Sequence, residues 1–240
     1  MWALVSALAT ACVNMDAFET VTIIASDATR ASALAATLCP HASVTTVRGV
    51  LPQNTGCPNA FGVHGCYAAH LNAWTRVFSA RATGWHIIFE DDAVPGNYVR
   101  YNPGWFESAT RGAGGASVVN LGPNDIYPDW SRVCTHFITQ LADMLRYAFG
   151  GRLPTLPGFG TLAHAYAVTN AGAGLLAGAL SEKRCGAAGV DTDMRDLREP
   201  HPGFFARVYA RGDTQPPNAT RFWGLFGQSV HACGTCARAE

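Results

Sequence analysis

Apolar positions in the first fifty residues follow a strand–helix–strand pattern. Phe18–Ala25 is rich in β-branched residues, which favour strands, and it runs into Ser26 and Asp27, which are typical helix caps. The alanine-rich segment Thr29–Leu38 then predicts a helix, and Ser43–Val50 predicts a second strand. This βαβ opening is typical of an open α/β sheet, so we expect mostly parallel strands.

The following segments continue the alternation of helices and strands. Over Gly65–Ser79, apolar and aromatic residues recur at steps of three and four, which predicts a helix with one buried face. Trp85–Phe89 is a short, nearly continuous apolar run, as expected of a central strand covered on both faces. Ser117–Leu121 and Ala163–Thr169 predict two further strands, and Ala171–Leu180 predicts a helix of small residues.

No internal repeat or domain boundary is visible, so we expect a single α/β domain over residues 1–240. Glycine and proline are frequent over Gly150–Gly160, which predicts a loop or a flap. Residues 200–240 are rich in aromatic side chains but lack periodicity, and we expect an irregular C-terminal tail there.

Charge and hydropathy exclude several classes of protein. The 17 basic and 17 acidic residues cancel, so no overall field draws the chain to nucleic acid or to an anionic membrane. With 48% hydrophobic and 14% charged residues, the composition is that of a globular chain. No segment approaches the roughly 20 apolar residues of a spanning helix, and we expect no transmembrane segment.

Eight cysteines permit disulfides but are too dilute for a disulfide-framework miniprotein. Cys233 and Cys236 form a CxxC pair, but a structural zinc needs four ligands and the chain has no second CxxC. The apolar segment Trp2–Val13 resembles a signal-peptide core, but no basic residue precedes it. A buried first element of the fold is the other interpretation. The compartment is therefore open; the cytoplasm is favoured and the secretory pathway is the alternative.

Three carboxylates, Glu90, Asp91 and Asp92, directly follow the predicted central strand. Because side chains alternate along a strand, Glu90 and Asp92 are expected on one face and Asp91 on the other. Ligands in open α/β sheets bind beyond the carboxyl ends of strands, and Mn²⁺ and Mg²⁺ prefer carboxylate and phosphate oxygens. The residues predict a divalent-cation site with Glu90 and Asp92 as ligands; a solvated turn is the alternative.

Two blocks carry a family resemblance. Residues 65–74, GCYAAHLNAW, followed by residues 87–93, IIFEDDA, resemble the signature of glycosyltransferase family 25, which includes lipooligosaccharide and procollagen galactosyltransferases. Residues 120–122, 160–173 and 190–191 are similar to later family segments in the same order, so the resemblance spans residues 62–193. The chain departs from the family in retaining only Arg30 of an arginine-rich turn and in having Ala69 before the motif histidine.

The resemblance implies a GT-A-type fold with a doubly wound, mostly parallel sheet flanked by helices. It implies that the acidic triplet holds Mn²⁺ or Mg²⁺ against the diphosphate of a nucleotide sugar. Glu90, Asp91, Asp92 and Arg30 are then the expected cofactor-binding residues, with Glu90 and Asp92 as the metal ligands. Bound metal is expected to screen the charge that develops on the departing nucleoside diphosphate.

Other polar residues have two interpretations each. Asp191 and Asp193 are candidates for the catalytic base that deprotonates an acceptor hydroxyl or for a further metal ligand; the alternative is that they lie in a solvated loop. Cys66, His70 and Trp74 share one helix face, where His70 is either a hydrogen-bonded core residue or part of the donor site. His164 and Tyr166 are interpreted as packing residues.

The expected function is metal-dependent transfer of a hexose, galactose or glucose, from a nucleotide-diphosphate sugar to a glycan or a hydroxylated protein side chain. One alternative is an inactive sugar-nucleotide- or glycan-binding protein of the same fold. Another is a hydrolase that uses paired carboxylates without metal.

Overall fold

The computed structural model describes residues 12–41, 43–58, 62–122, 155–157, 163–186, 189–197, 200–201, 203–208, 210–211, 222–223 and 226–228. The Cys233/Cys236 pair, most of the apolar segment Trp2–Val13 and most of the expected tail lie outside the described residues.

The fold is built on a seven-stranded mixed sheet. Its strands are β1 (Phe18–Ala25), β2 (Val44–Arg48), β3 (Trp85–Glu90), β5 (Val118–Asn120), β6 (Thr155–Pro157), β7 (Ala165–Thr169) and β8 (Phe205–Val208). Their order in the sheet is β2-β1-β3-β7-β5-β8-β6. Five strands run in one direction, while β7 and β6 run in the other, giving three parallel and three antiparallel pairings. The expectation of an α/β sheet with mostly co-directional strands is confirmed.

Two short antiparallel pairs lie outside the main sheet. β4 (Ala93–Pro95) pairs with β11 (Phe226–Gln228), and β9 (Ala210–Arg211) pairs with β10 (Phe222–Trp223).

Helices cover both faces of the sheet. Within the described residues they are α1 (Ala28–Ala35), α2 (Gly62–Ala80), α3 (Asn97–Tyr101), α4 (Trp105–Arg111), α5 (Asn170–Ser181) and α6 (Val190–Asp196), with a 3₁₀ turn at Pro52–Asn54. Side chains of α1, α3 and α4 pack on one face, and side chains of α2, α5 and α6 pack on the other. Both faces of the central strands are therefore removed from water, as their continuous apolar sequences require.

Strand alternation divides the core into these two layers. Ile87 and Phe89 of β3 belong to the α1 side, whereas Ile88 belongs to the α2 side. All three are fully buried. The period of two along a strand fixes these directions, and it also fixes the side on which the last residue of β3 emerges.

Local sequence explains where the helices begin. The Asp27 carboxylate accepts hydrogen bonds from the backbone N–H groups of Thr29 and Arg30, at 2.7 and 3.3 Å, and so caps α1. These bonds lower the pKa of Asp27. In α2, Gly65 lies so close to the backbone carbonyl of Val50 that a Cβ atom would overlap it, so the glycine permits the helix to approach the end of β2.

Three parts of the chain differ from expectation. Phe205–Val208 lies in the expected irregular tail, but it forms β8 inside the main sheet because both its edges are paired. Thr155–Pro157 lies in the expected loop, but it forms β6 by pairing with β8. The short helices α3 and α4 were not expected, since each spans fewer than eight residues between glycines, an asparagine and a proline.

Two disulfides connect distant parts of the described chain. Cys12 is bonded to Cys39, and Cys57 is bonded to Cys185 across a separation of 128 residues. Within the described part of the chain, no helix has the length and apolar character needed to cross a membrane.

Candidate functional site

The acidic triplet lies at the carboxyl end of an interior strand, as the sequence predicts. Glu90 is the last residue of β3, and Asp91 and Asp92 form the turn that leads to β4. The neighbours of β3 are β1 and β7. Because β7 runs antiparallel to β3, its start lies at the same edge, and the Glu90 backbone N–H donates to the His164 carbonyl at 2.9 Å.

Glu90 points to the α2 side of the sheet, because it lies two residues after Ile88 and side chains two apart on a strand share a face. Its Oε1 atom lies 3.1 Å from Nε2 of His70 and 3.6 Å from the thiol sulfur of Cys66. Cys66 and His70 are four residues apart on α2, so one helix turn brings both side chains to the same carboxylate oxygen. The Glu90 side chain retains 14% exposure, whereas His70 has none.

The His70 ring is held from behind by two aromatic side chains. The Tyr166 hydroxyl lies 2.8 Å from Nδ1 of His70 and accepts a hydrogen bond from Nε1 of Trp74, also at 2.8 Å. On the predicted stripe of α2, His70 and Trp74 are fully buried and Cys66 is half-buried; Tyr166 of β7 is also fully buried. Burial raises the pKa of Tyr166 well above its usual value, so the phenol stays protonated.

These contacts determine the charge on Glu90. Burial by itself would raise the pKa of the carboxyl, but the hydrogen bond and charge of His70, followed by His164 and the Cys66 thiol, outweigh it. The net effect is a lowered pKa, because each of these groups favours the ionised carboxylate. Glu90 is therefore a carboxylate at neutral pH.

Asp91 points to the opposite side and holds the loop between β1 and α1. Its Oδ2 accepts hydrogen bonds from the backbone N–H groups of Ser26 and Asp27, at 3.0 and 3.1 Å. The Arg30 guanidinium lies 3.4 Å from Oδ1 and donates to the Ser26 hydroxyl at 2.9 Å. Burial raises the pKa of Asp91, while these bonds and the Arg30 charge oppose the rise. Two of the expected cofactor-binding residues, Asp91 and Arg30, are thus in direct contact.

Asp92 is 3% exposed and lies one residue beyond Asp91 in the turn. Since β3 ends at Glu90, the strand alternation no longer fixes the direction of Asp92, and its common face with Glu90 stays a prediction. Among the described residues, the group of three or more metal-type ligand atoms within 4.8 Å of one another contains Cys66, His70 and Glu90, and Asp92 is not a member.

Asp191 and Asp193 lie in the first turn of α6 rather than in a loop. Asp193 is buried, and its Oδ1 lies 3.7 Å from the Lys183 ammonium. Burial raises the pKa of Asp193, although the Lys183 charge opposes the rise. Asp191 is half-buried.

The sequence missed the contribution of the neighbouring strand ends. Tyr166 and His164 were interpreted as packing residues, but the Tyr166 hydroxyl contacts the motif histidine and the His164 carbonyl holds the Glu90 backbone. Gly122, just after β5, lies against the His164 ring so closely that a Cβ atom would overlap it. These contacts join residues that are at least 42 positions apart, and the signal that could have found them was the polar tip of Tyr166 in an apolar strand.

Comparison of the chain with protein-family models and with curated proteins gives no match. The resemblance to glycosyltransferase family 25 therefore rests on the motif residues.

Proposed function

We propose that the protein is a metal-dependent glycosyltransferase that moves a hexose, galactose or glucose, from a nucleotide-diphosphate sugar to a glycan or a hydroxylated protein side chain. The observation that carries the proposal is the acidic triplet Glu90–Asp92 at the carboxyl end of interior strand β3, beside the motif helix α2. This edge is where open α/β sheets bind their ligands.

The donor chemistry at this edge fits a divalent cation. Glu90 is ionised and partly exposed, and only its Oε1 atom contacts His70 and Cys66 among the described residues. Its Oε2 oxygen, together with Asp92, would hold Mn²⁺ or Mg²⁺. When bound, the ion supplies Lewis-acid screening of the nucleoside diphosphate.

Arg30 and Asp91 support the donor end of the proposed site. Asp91 fixes the backbone of Ser26 and Asp27, and its buried carboxylate orients Arg30. The Arg30 side chain is 34% exposed, and a guanidinium is suited to bind a phosphate oxygen. In this role Asp91 positions other groups instead of contacting the donor.

Asp193 is the favoured base for the acceptor hydroxyl, with Asp191 as the second candidate. A raised pKa makes a carboxylate a stronger base, and burial has this effect on Asp193. The adjacent positive charge of Lys183 limits the rise, so the group remains able to ionise and accept a proton.

The disulfides bear on the compartment. Cytosolic thiols are kept reduced, so two disulfides in the described chain favour an oxidising compartment such as the secretory pathway. This differs from the cytoplasmic location that the sequence favoured.

A donor screen tests the proposal. Purified protein with Mn²⁺ is incubated with a panel of UDP-, GDP- and CMP-sugars and acceptors, and nucleotide release is recorded. Asp92→Asn should lower metal-stimulated turnover by about 100-fold or more, since it removes a ligand charge whose loss is worth several kcal/mol at about 1.4 kcal/mol per tenfold. Asp16→Asn, a change at an exposed aspartate, is the matched control.

The outcomes separate the competing functions. Release that requires metal and falls in the Asp92 variant supports transfer. Donor binding without turnover would favour the inactive binding protein. Turnover that persists in a chelator would favour the carboxylate hydrolase and contradict the proposal.

A further inference from the structure

Three ligand atoms of different chemistry converge where α2 meets the end of β3. They are Sγ of Cys66, Nε2 of His70 and Oε1 of Glu90, and all lie within 4.8 Å of one another. We propose that these side chains form a zinc-type site that holds one divalent ion. The proposal does not depend on sugar transfer, because it concerns binding of the metal alone.

The two distances from the Glu90 oxygen to the other ligand atoms match a tetrahedral site. With zinc bond lengths of about 2.0–2.1 Å to nitrogen, 2.0–2.2 Å to oxygen and 2.3 Å to sulfur, tetrahedral angles place nitrogen and oxygen ~3.4 Å apart and sulfur and oxygen ~3.6 Å apart. The corresponding separations here are 3.1 Å between His70 and Glu90, and 3.6 Å between Cys66 and Glu90. These two pairs need shifts of at most a few tenths of an ångström to share one ion, and the Cys66 sulfur lies within 4.8 Å of Nε2 of His70.

The surroundings of His70 suit a metal ligand. A ligating histidine binds through one ring nitrogen and donates its other N–H to a partner that fixes the ring. Here Nε2 faces Glu90 while Nδ1 lies 2.8 Å from the Tyr166 hydroxyl. The two lone pairs of that oxygen can accept from both His70 and Trp74. The ring is thus oriented before any ion arrives.

The donor set also selects the type of ion. A thiolate, an imidazole and a carboxylate suit zinc better than Mn²⁺ or Mg²⁺, which prefer oxygen ligands alone. With Zn²⁺ the thiolate and the carboxylate give a neutral site, so burial carries little charge penalty. Glu90 has a second oxygen, which leaves Oε2 for a cation at the donor site.

The state of the cysteines is consistent with this assignment. The other four cysteines of the described residues form disulfides, whereas Cys66 is half-buried and remains a thiol. Three protein ligands leave a fourth position for water, the arrangement found in zinc sites that keep an open coordination position.

Cobalt titration of the full chain tests the site. Protein stripped by dialysis against a chelator is titrated with Co²⁺ alone and then with Zn²⁺. We expect a thiolate-to-cobalt charge-transfer band that saturates at one Co²⁺ per chain and is lost when zinc displaces the cobalt. Cys66→Ser should abolish the band and weaken zinc binding by about 100-fold or more, because loss of even an outer partner costs 10–100-fold. Tyr166→Phe should keep the band with zinc binding 10–100-fold weaker.

Two further measurements keep the result decisive. Asp92→Asn should retain the band, which separates this site from the proposed donor-site cation. In the unmodified protein, zinc should protect Cys66 from alkylation, as measured by peptide mass spectrometry. This measurement does not depend on whether a variant folds. Absence of stoichiometric binding, a cobalt spectrum without the thiolate band, or equal alkylation with and without zinc would overturn the proposal.

Discussion

Removal of the Tyr166 hydroxyl is the sharpest test of the buried network behind Glu90. Tyr166→Phe preserves the ring but leaves Nε1 of Trp74 and Nδ1 of His70 without their 2.8 Å partner. Both nitrogens belong to fully buried side chains, where water cannot replace the lost contact. Each orphaned buried polar group costs about 1–3 kcal/mol, so the loss of two partners should lower the free energy of unfolding by about 2–6 kcal/mol.

Stability is measured by urea unfolding without a reducing agent, so that the disulfides stay intact. Tryptophan fluorescence follows the transition. A loss of this size corresponds to a fall in Tm of about 4–24 °C for a chain of this length. Tyr101→Phe is the matched control, because Tyr101 is 65% exposed and its change should stay within about 0.5 kcal/mol.

A double-mutant cycle identifies the interaction. If the Tyr166 hydroxyl stabilises the fold through Trp74, Trp74→Phe and Tyr166→Phe should couple by about 0.5–3 kcal/mol. A Tyr166→Phe protein as stable as the Tyr101→Phe control would refute the reasoning, since two buried nitrogens would then have lost their partner at no cost.

Three further changes give measurable outcomes. Gly65→Ala should lower the free energy of unfolding by about 1–3 kcal/mol in urea, because its Cβ would overlap the Val50 carbonyl; an unchanged midpoint would contradict the close approach. Replacing Cys57 and Cys185 together by serine should lower the free energy of unfolding by about 2–5 kcal/mol. This loss should exceed that from removing the Cys12–Cys39 disulfide, which closes a shorter loop; an equal or smaller loss would contradict this order. Asp193→Asn should raise the free energy of unfolding at neutral pH, because burial raises the pKa of Asp193 and disfavours its charge in the folded state. The gain should vanish below about pH 4, where the wild-type carboxyl is protonated in both states. A gain that persists below that pH would refute burial of the charge as the cause.

The parts of the fold that the sequence predicted are those fixed by local patterns. The bounds of β1 match the prediction at both ends, because the β-branched run and its capping residues lie within one segment. The opposite directions of Glu90 and Asp91 were also predictable, since strand alternation requires only the position of β3.

The parts that the sequence missed depend on partners distant in the chain. The four residues of β8 are recognisable as a strand only once β5 and β6 lie beside them. The Tyr166 contact with His70 joins residues 96 positions apart, and no spacing rule connects them. For Asp92, the alternation rule was applied two residues beyond the end of β3, where the backbone direction is set by the turn.

The late position of β8 in the chain has a consequence for biosynthesis. β1, β2 and β3 can pair as soon as residue 90 has been made, but β5 gains its second neighbour only when residues 205–208 emerge. Until then the apolar residues of β5 form an unprotected sheet edge, which is the kind of surface that pairs with other chains. Truncation before Phe205 should leave that edge permanently open, so shortened versions of the protein are expected to aggregate.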